Sequence, residues 1–207
     1  MSLDCFLSGY GVSEFTLPEI AGLYLGKNLA ICGDAACIWD DLERAGFRCD
    51  NGNGSVARTG WDILAINKIV ETLPGNIEHV YSNEPELMKA FIRARRSEYR
   101  EFAKIKHTHS CNKGAMWKWP WRGFGTSALG ACLTGVALGY DKIALCGVPL
   151  DDGPHNGEPP WRKTKFASGD VADTDGGGIN MVWRDAIKLV FDGRIKSMSG
   201  RTEKWLK

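Results

Sequence analysis

Several short runs in this chain have residue types and spacings that could do chemistry. In Gly123 to Ser127 (GFGTS), two glycines precede Thr126 and Ser127, both good helix N-caps. The apolar face of Ala128, Leu129, Ala131, Cys132, Leu133, Val136 and Leu138 follows. Unpaired N–H groups and the helix dipole at such a start attract an anion, by about 0.3–1 kcal/mol per charge. Gly125, Thr126 and Ser127 are therefore candidates for holding a nucleotide phosphate, the alternative being an ordinary helix start. Gly33-Asp34-Ala35-Ala36-Cys37 lies where a doubly wound fold puts its phosphate loop, although it matches neither GxGxxG nor a P-loop. Asp34 would repel a phosphate, so it suits a ribose hydroxyl, a base amine or a bridging Mg²⁺.

His155 follows the polar run Asp151-Asp152-Gly153-Pro154 and is the best general-base candidate, with Asp151 or Asp152 to orient its imidazole. A loop histidine with no catalytic task is the plainer alternative. His107, His109 and Cys111 (HTHSC) are ligand types that zinc accepts, and a strand would point all three to one face. No fourth ligand lies nearby and the spacing matches no common zinc motif, so no metal is assigned. In Met116 to Gly123 (MWKWPWRG), three tryptophans alternate with Lys118, Pro120 and Arg122. They suit either a stacking lid over a sugar or base, or packing at a sheet edge or subunit interface.

Alternating strands and helices must position these residues. Asn28 to Cys32 reads as a strand, Ile38 to Ala45 as a helix and Phe47 to Cys49 as a second short strand, whereas Asp50 to Gly60 has little to bury and reads as a mobile loop. Further strands are expected at 61–67, 78–82, 103–108, 142–146 and 194–198. Helices are expected at 86–102, 126–138 and 179–191, with a Gly- and Asp-rich loop at 168–178 and a short terminal helix. Arg93, Arg95, Arg96 and Arg100 read as a solvated helix face. The fold class is α/β: a doubly wound, mainly parallel Rossmann-like sheet with helices on both faces. The whole chain, 1–207, is expected to be one domain, with 1–27 a turn-rich leader and 112–123 a Trp-rich insertion. Ligands of such sheets bind beyond the carboxyl ends of the strands, where strand order reverses. That rule selects Asp34, Asn67, Asn83, Glu84, Asp151 and His155.

A net charge of +1 gives no global field to recruit nucleic acid or anionic membrane. No window is long and apolar enough for a membrane span, the start MSLDCFLSGY lacks a signal-peptide pattern, and seven scattered cysteines suggest a reducing compartment. A cytoplasmic protein without structural disulfides is expected.

The runs NLAICGDAACI, DILAIN and GTSALGACLTGVALGYDKIALCGVPL together resemble a superfamily that joins bacterial CMP-sialic acid sialyltransferases to 6-hydroxymethylpterin diphosphokinase-like proteins. That superfamily has a GNGPS-like first turn, an Asn after the third strand, and a TSG or SSG helix start followed by a strand like ALGYKKIYLCGFD. The SNEPE turn and the ending IKSMSGRTEKWL are similar to those of phage and prophage members, and the resemblance spans residues 28 to 206. It implies that Gly33, Asn67, Thr126 and Ser127 contact a nucleotide and that His155 corresponds loosely to the family's base. Asp34, Ala35 and Cys37 stand where the family has Asn, Gly and Ser, which adds charge and bulk and argues against CMP-sialic acid as the donor. The expected function is a nucleotide-dependent, glycosyltransferase-like enzyme whose partner is a nucleotide or nucleotide sugar. The alternatives are a Mg²⁺-dependent diphosphate transferase and a non-catalytic phage protein that sequesters a nucleotide. A homo-oligomer is compatible with all three.

Overall fold

Short apolar runs that stop at glycines and polar turns build a seven-stranded sheet in the computed structural model, which describes residues 3–50, 55–98, 104–121, 126–151, 153–159 and 179–207. The strands among the described residues are β1 (Asn28–Cys32), β2 (Arg48–Asp50), β3 (Ser55–Ala57), β4 (Trp61–Ile66), β5 (Ile77–Tyr81), β6 (Ile105–Ser110), β7 (Trp117–Lys118), β8 (Lys142–Cys146) and β9 (Ile195–Ser197). The main sheet runs β7-β6-β5-β4-β1-β8-β9, and every neighbouring pair in it is parallel. From β1 the chain winds outward through β4 to β7, then returns to place β8 on the other flank of β1. Strand order therefore reverses between β1 and β8, which is the doubly wound arrangement.

Helices cover both faces. On one lie α1 (Leu3–Gly9), α5 (Ser127–Leu138) and α6 (Ile179–Ala186) with its π-helical continuation Ile187–Phe191; on the other lie α2 (Ile38–Arg44), α3 (Ile69–Thr72) and α4 (Pro85–Glu98). A short α7 (Gly200–Trp205) follows β9. The two cores follow the pleat: Leu29 and Ile31 of β1 enter the first, Ala30 and Cys32 the second. A parallel strand covered on both faces has to be apolar where it is buried, as β1 and β8 are after their first residues, Asn28 and Lys142. Each fully buried Leu or Ile contributes about 1.5–3 kcal/mol.

Three sequence expectations are corrected. Residues 3–9 of the leader are helical, and Phe6 and Leu7 are fully buried. Within the expected loop, residues 55–57 pair antiparallel with β2, so the second strand belongs to a hairpin outside the main sheet, while 51–54 lie outside the described residues. Arg95 is fully buried instead of solvated: its guanidinium donates to the carbonyls of Val70 (3.1 Å), Leu73 and Gly75. It thereby satisfies carbonyls where α3 ends, and a fork of donors suits several acceptors at once. Arg93 is exposed, as expected of a solvated face. Arg100 and the Gly- and Asp-rich loop lie outside the described residues.

The tryptophan segment is core. Trp119 and Trp121 are buried and stacked with ring centroids 4.8 Å apart, and Trp117 lies in β7 at the sheet's edge. Arg122 lies outside the described residues, and Lys118 is exposed.

Candidate functional site

The carboxyl ends of β1 and β8 approach so closely that neither tolerates a side chain. A Cβ on Gly33 would sit 2.4 Å from the Gly147 carbonyl oxygen, and one on Gly147 would sit 2.5 Å from that of Gly33. The strands stay paired through this turn, since Gly33 N–H donates to Cys146 O (2.8 Å) and Ala35 N–H to Gly147 O (3.2 Å). Behind it, the buried Asp41 of α2 accepts from Gly147 N–H (2.8 Å) and from Ser199 Oγ (2.6 Å). Cys37 also points its thiol at Asp41 (3.5 Å); burial pushes that thiol up to about 11, so it is protonated at neutral pH.

One further strand end and a helix start complete a cleft of about 440 Å³. Asn67, one residue past β4, has a left-handed backbone (φ 55°), which Asn tolerates better than most residues. Its N–H donates to Tyr81 O at 3.1 Å, while its buried Oδ1 has no hydrogen-bond partner among the described residues. Thr126 caps α5, its Oγ1 accepting from Leu129 N–H at 3.2 Å. A helix cannot internally satisfy its first N–H groups, which leaves those of Ser127 and Ala128, both lining residues. α5 can lie this close to β5 because residue 130 is glycine: a Cβ there would be 2.2 Å from the Tyr81 hydroxyl.

The segment after β8 folds back over the first turn. Ala36 N–H donates to Pro154 O (3.0 Å), Asn156 N–H to Asp34 O (2.8 Å), and Ala35 and His155 form an antiparallel bridge. His155 Nδ1 lies 3.2 Å from the Asp34 carbonyl oxygen and 3.8 Å from its carboxylate. A carbonyl only accepts, so Nδ1 carries the hydrogen and the neutral ring keeps its lone pair on Nε2. The group beside the imidazole is thus Asp34. Asp151 instead accepts from Gly153 N–H at 3.1 Å, and Asp152 lies outside the described residues. Burial, followed by the opposing charges of His155 and Lys68, sets the Asp34 carboxyl, which is pushed up to about 6.

Of the residues selected from sequence, Gly33, Asp34, Asn67, Thr126, Ser127, Asp151 and His155 line this one cleft. Asn83 does not. It stands behind Ser127, donating its N–H to Ser127 Oγ at 3.3 Å and accepting at Oδ1 from Tyr81 (3.1 Å). Glu84 is exposed at the start of α4, and Gly125 lies outside the described residues. None of Trp117, Trp119 and Trp121 lines the cleft, so they do not act as its lid. Sequence reasoning missed Lys68 and Glu158, which also line it. Lys68 directly follows a strand-end Asn and was open to the same rule, whereas Asp41 gave no signal, being an acid among others on a short helix.

The HTHSC histidines serve a different purpose. Trp119 Nε1 donates to His109 Nδ1 (3.0 Å), His109 Nε2 meets His79 Nδ1 (2.9 Å), His79 Nε2 meets Tyr140 Oη (2.8 Å), and Tyr140 donates to Asp62 (2.8 Å). An indole N–H only donates, so each imidazole must be neutral with its hydrogen on Nε2. Burial, then the neighbouring imidazoles, holds His79 well below the usual range, and burial with His107 lowers His109 to about 3. Both ring nitrogens of His109 are occupied, and no cluster of metal-ligating side chains occurs among the described residues. Cys111 is buried with its thiol 3.5 Å from Asn83 Oδ1. Among the described residues no helix is long and apolar enough to cross a membrane.

No family model and no curated protein matches this chain. Among solved structures, the chain is similar to the monofunctional alpha-2,3-sialyltransferase Cst-I from Campylobacter jejuni, at 15% identity over 91% of this chain and 80% of that one, with a TM-score of 0.48.

Proposed function

We propose that this chain is a nucleotide-dependent transferase of glycosyltransferase type, with its donor in the cleft at the carboxyl edge of the sheet. One observation carries the proposal: a strand-end turn, a helix start and an imidazole with a defined tautomer line the same 440 Å³ space. The donor phosphate sits against the N–H groups of Ser127 and Ala128, and the Asn67 amide takes the ribose or base. His155 Nε2 removes the proton of an acceptor hydroxyl as that oxygen bonds to the anomeric carbon. The bond from that carbon to the phosphate oxygen breaks, and its electron pair leaves on the nucleotide. The imidazolium so formed lies 3.8 Å from the Asp34 carboxylate, which offsets its charge.

A second reading has its own support. Among the described residues lining the cleft, Asp34, Asp151 and Glu158 outnumber the one Lys or Arg, Lys68, and this excess of negative charge would oppose a bare phosphate. A Mg²⁺ ion, which Asp34 and Asp151 would hold, would relieve it and would neutralise charge on the transferred group in diphosphate transfer to a small alcohol.

Thermal-shift titration with nucleotides and nucleotide sugars, with Mg²⁺ or with EDTA, separates the readings. His155→Ala should leave nucleotide affinity nearly intact and lower turnover by about 10²–10⁴-fold. Full turnover in that variant would move the base elsewhere. Binding without turnover for any donor and acceptor pair would make the protein a sequestering binder.

A further inference from the structure

At the opposite edge of the sheet, beside the amino ends of β8 and β9 and the end of α2, lies a second hollow of about 650 Å³. Arg44, Arg58, Lys142, Arg194 and Lys196 line it. Among the described residues two carboxylates, Asp141 and Asp192, share the lining, so the hollow carries a local excess of three positive charges, or two once Arg44 is set against Glu203, in a chain whose net charge is +1. Arg44 is engaged by Glu203 at 3.1 Å. Among the described residues, Arg58, Lys142, Arg194 and Lys196 have no carboxylate within ion-pair distance.

One of these cations is held in place and a second has unused hydrogen-bonding capacity. The Arg58 guanidinium lies 4.4 Å from the Trp61 ring centroid and 5.9 Å from that of Phe47, and it donates to the Ala45 carbonyl. Arg194 has a buried Nε with no hydrogen-bond partner among the described residues, and its Nη2 reaches Val190 O only at 3.5 Å. Four cations without an ion-pair partner among the described residues, against two carboxylates in the same lining, leave a net positive concavity, and a multiply charged anion would neutralise it. Two forked guanidiniums and two ammonium groups match a run of phosphates.

We propose that this hollow binds a soluble, multiply phosphorylated anion, independently of the carboxyl-edge cleft. Arg58 covers the nearby face of Trp61 and so removes the stacking platform that a nucleic-acid strand would use. The apolar lining residues Ala45, Ile143, Ala144 and Met198 are buried and the half-buried Trp61 lies under the Arg58 guanidinium, so this rim offers little apolar surface to insert into a lipid surface.

The test is calorimetric titration of the full chain with tripolyphosphate at low and at physiological salt, beside Lys142→Gln/Lys196→Gln and Arg58→Gln. Circular dichroism checks the fold of each variant; both lysines are exposed, so the double variant tests the site even if Arg58→Gln unfolds. Saturable binding is expected, weakened about tenfold or more in the double variant and less salt-dependent there. In NMR, the Gly193 and Lys196 amides and the Trp61 indole should shift while Gly33 and Ser127 stay put. The proposal is overturned by no binding at low salt, by binding that the lysine variants leave unchanged, or by shifts confined to the carboxyl edge. Preferential binding to phosphatidylserine vesicles or to DNA over tripolyphosphate would equally overturn it.

Discussion

Asp34 sits at the meeting point of stability and chemistry in this molecule. Its carboxyl is raised from 3.8 to about 6, chiefly by burial, so the fold favours the protonated form. The stability it contributes is fully present below the unfolded value and is lost as pH rises through about 6. Asp34→Asn should therefore raise the melting temperature at pH 7.5 and leave it little changed at pH 4, the gain being of the order of 1 kcal/mol once solvent screening is allowed for. Calorimetric melts at the two pH values check this. The same substitution removes the charge facing the imidazolium, so turnover should fall even as the protein becomes more stable. Candidate residues at strand ends, such as Gly33 and Asn67, and at a helix start, Ser127, were legible because topology alone sends strand ends and helix starts to one edge. The pairing of His155 with Asp34 was not, because it joins segments 121 positions apart through a backbone carbonyl. Arg95 was misread for a related reason: helical spacing shows where a side chain starts, but not that three carbonyls wait for it beneath.

Among the elements, α5 was the most readable and is the least tolerant. Its cap, its small residues and its terminal Gly139 with φ 95° all state a helix, and nine of its residues are buried. Gly130→Ala should cost about 1–3 kcal/mol, because the new methyl must displace the Tyr81 ring or lift the helix off β5. Denaturant melts measure that cost. Lifting the helix would also shift Ser127 away from Asn83 N–H, so nucleotide affinity should fall together with stability. β7 was the least readable element. The tryptophans at 117, 119 and 121, in and after it, have strand spacing, yet nothing local distinguishes aromatics that cover a ligand from aromatics that complete a core. The partners that decide the matter, His107 at 3.2 Å from the Trp117 indole nitrogen and His109 at 3.0 Å from that of Trp119, lie ten positions earlier. Trp119→Ala should cost about 3–5 kcal/mol, as expected for emptying a buried aromatic site.

Across the whole molecule, the hydrogen-bonded series from Trp119 to Asp62 ties the β7 edge of the sheet to the start of β4. His79 and His109 are held below the ordinary value of 6.5, so their stabilising effect is present above that value and is lost as pH falls toward about 3 for His109. The melting temperature should therefore drop on acidification from pH 7 to pH 4.5, and His109→Gln should flatten that slope. Asp34 works in the opposite sense, so the Asp34→Asn background isolates the histidine contribution. The same series also has a built-in redundancy. Read from the Trp119 end, the indole N–H forces both imidazoles to carry hydrogen on Nε2. Read from the other end, the Asp62 carboxylate makes Tyr140 donate to it, and the same two tautomers follow. Either terminus alone is thus sufficient instruction. Trp119→Phe and Asp62→Ala should each preserve the tautomers seen by ¹⁵N NMR of the histidines, and only the double variant should let the proton order run in both directions, with both tautomers populated.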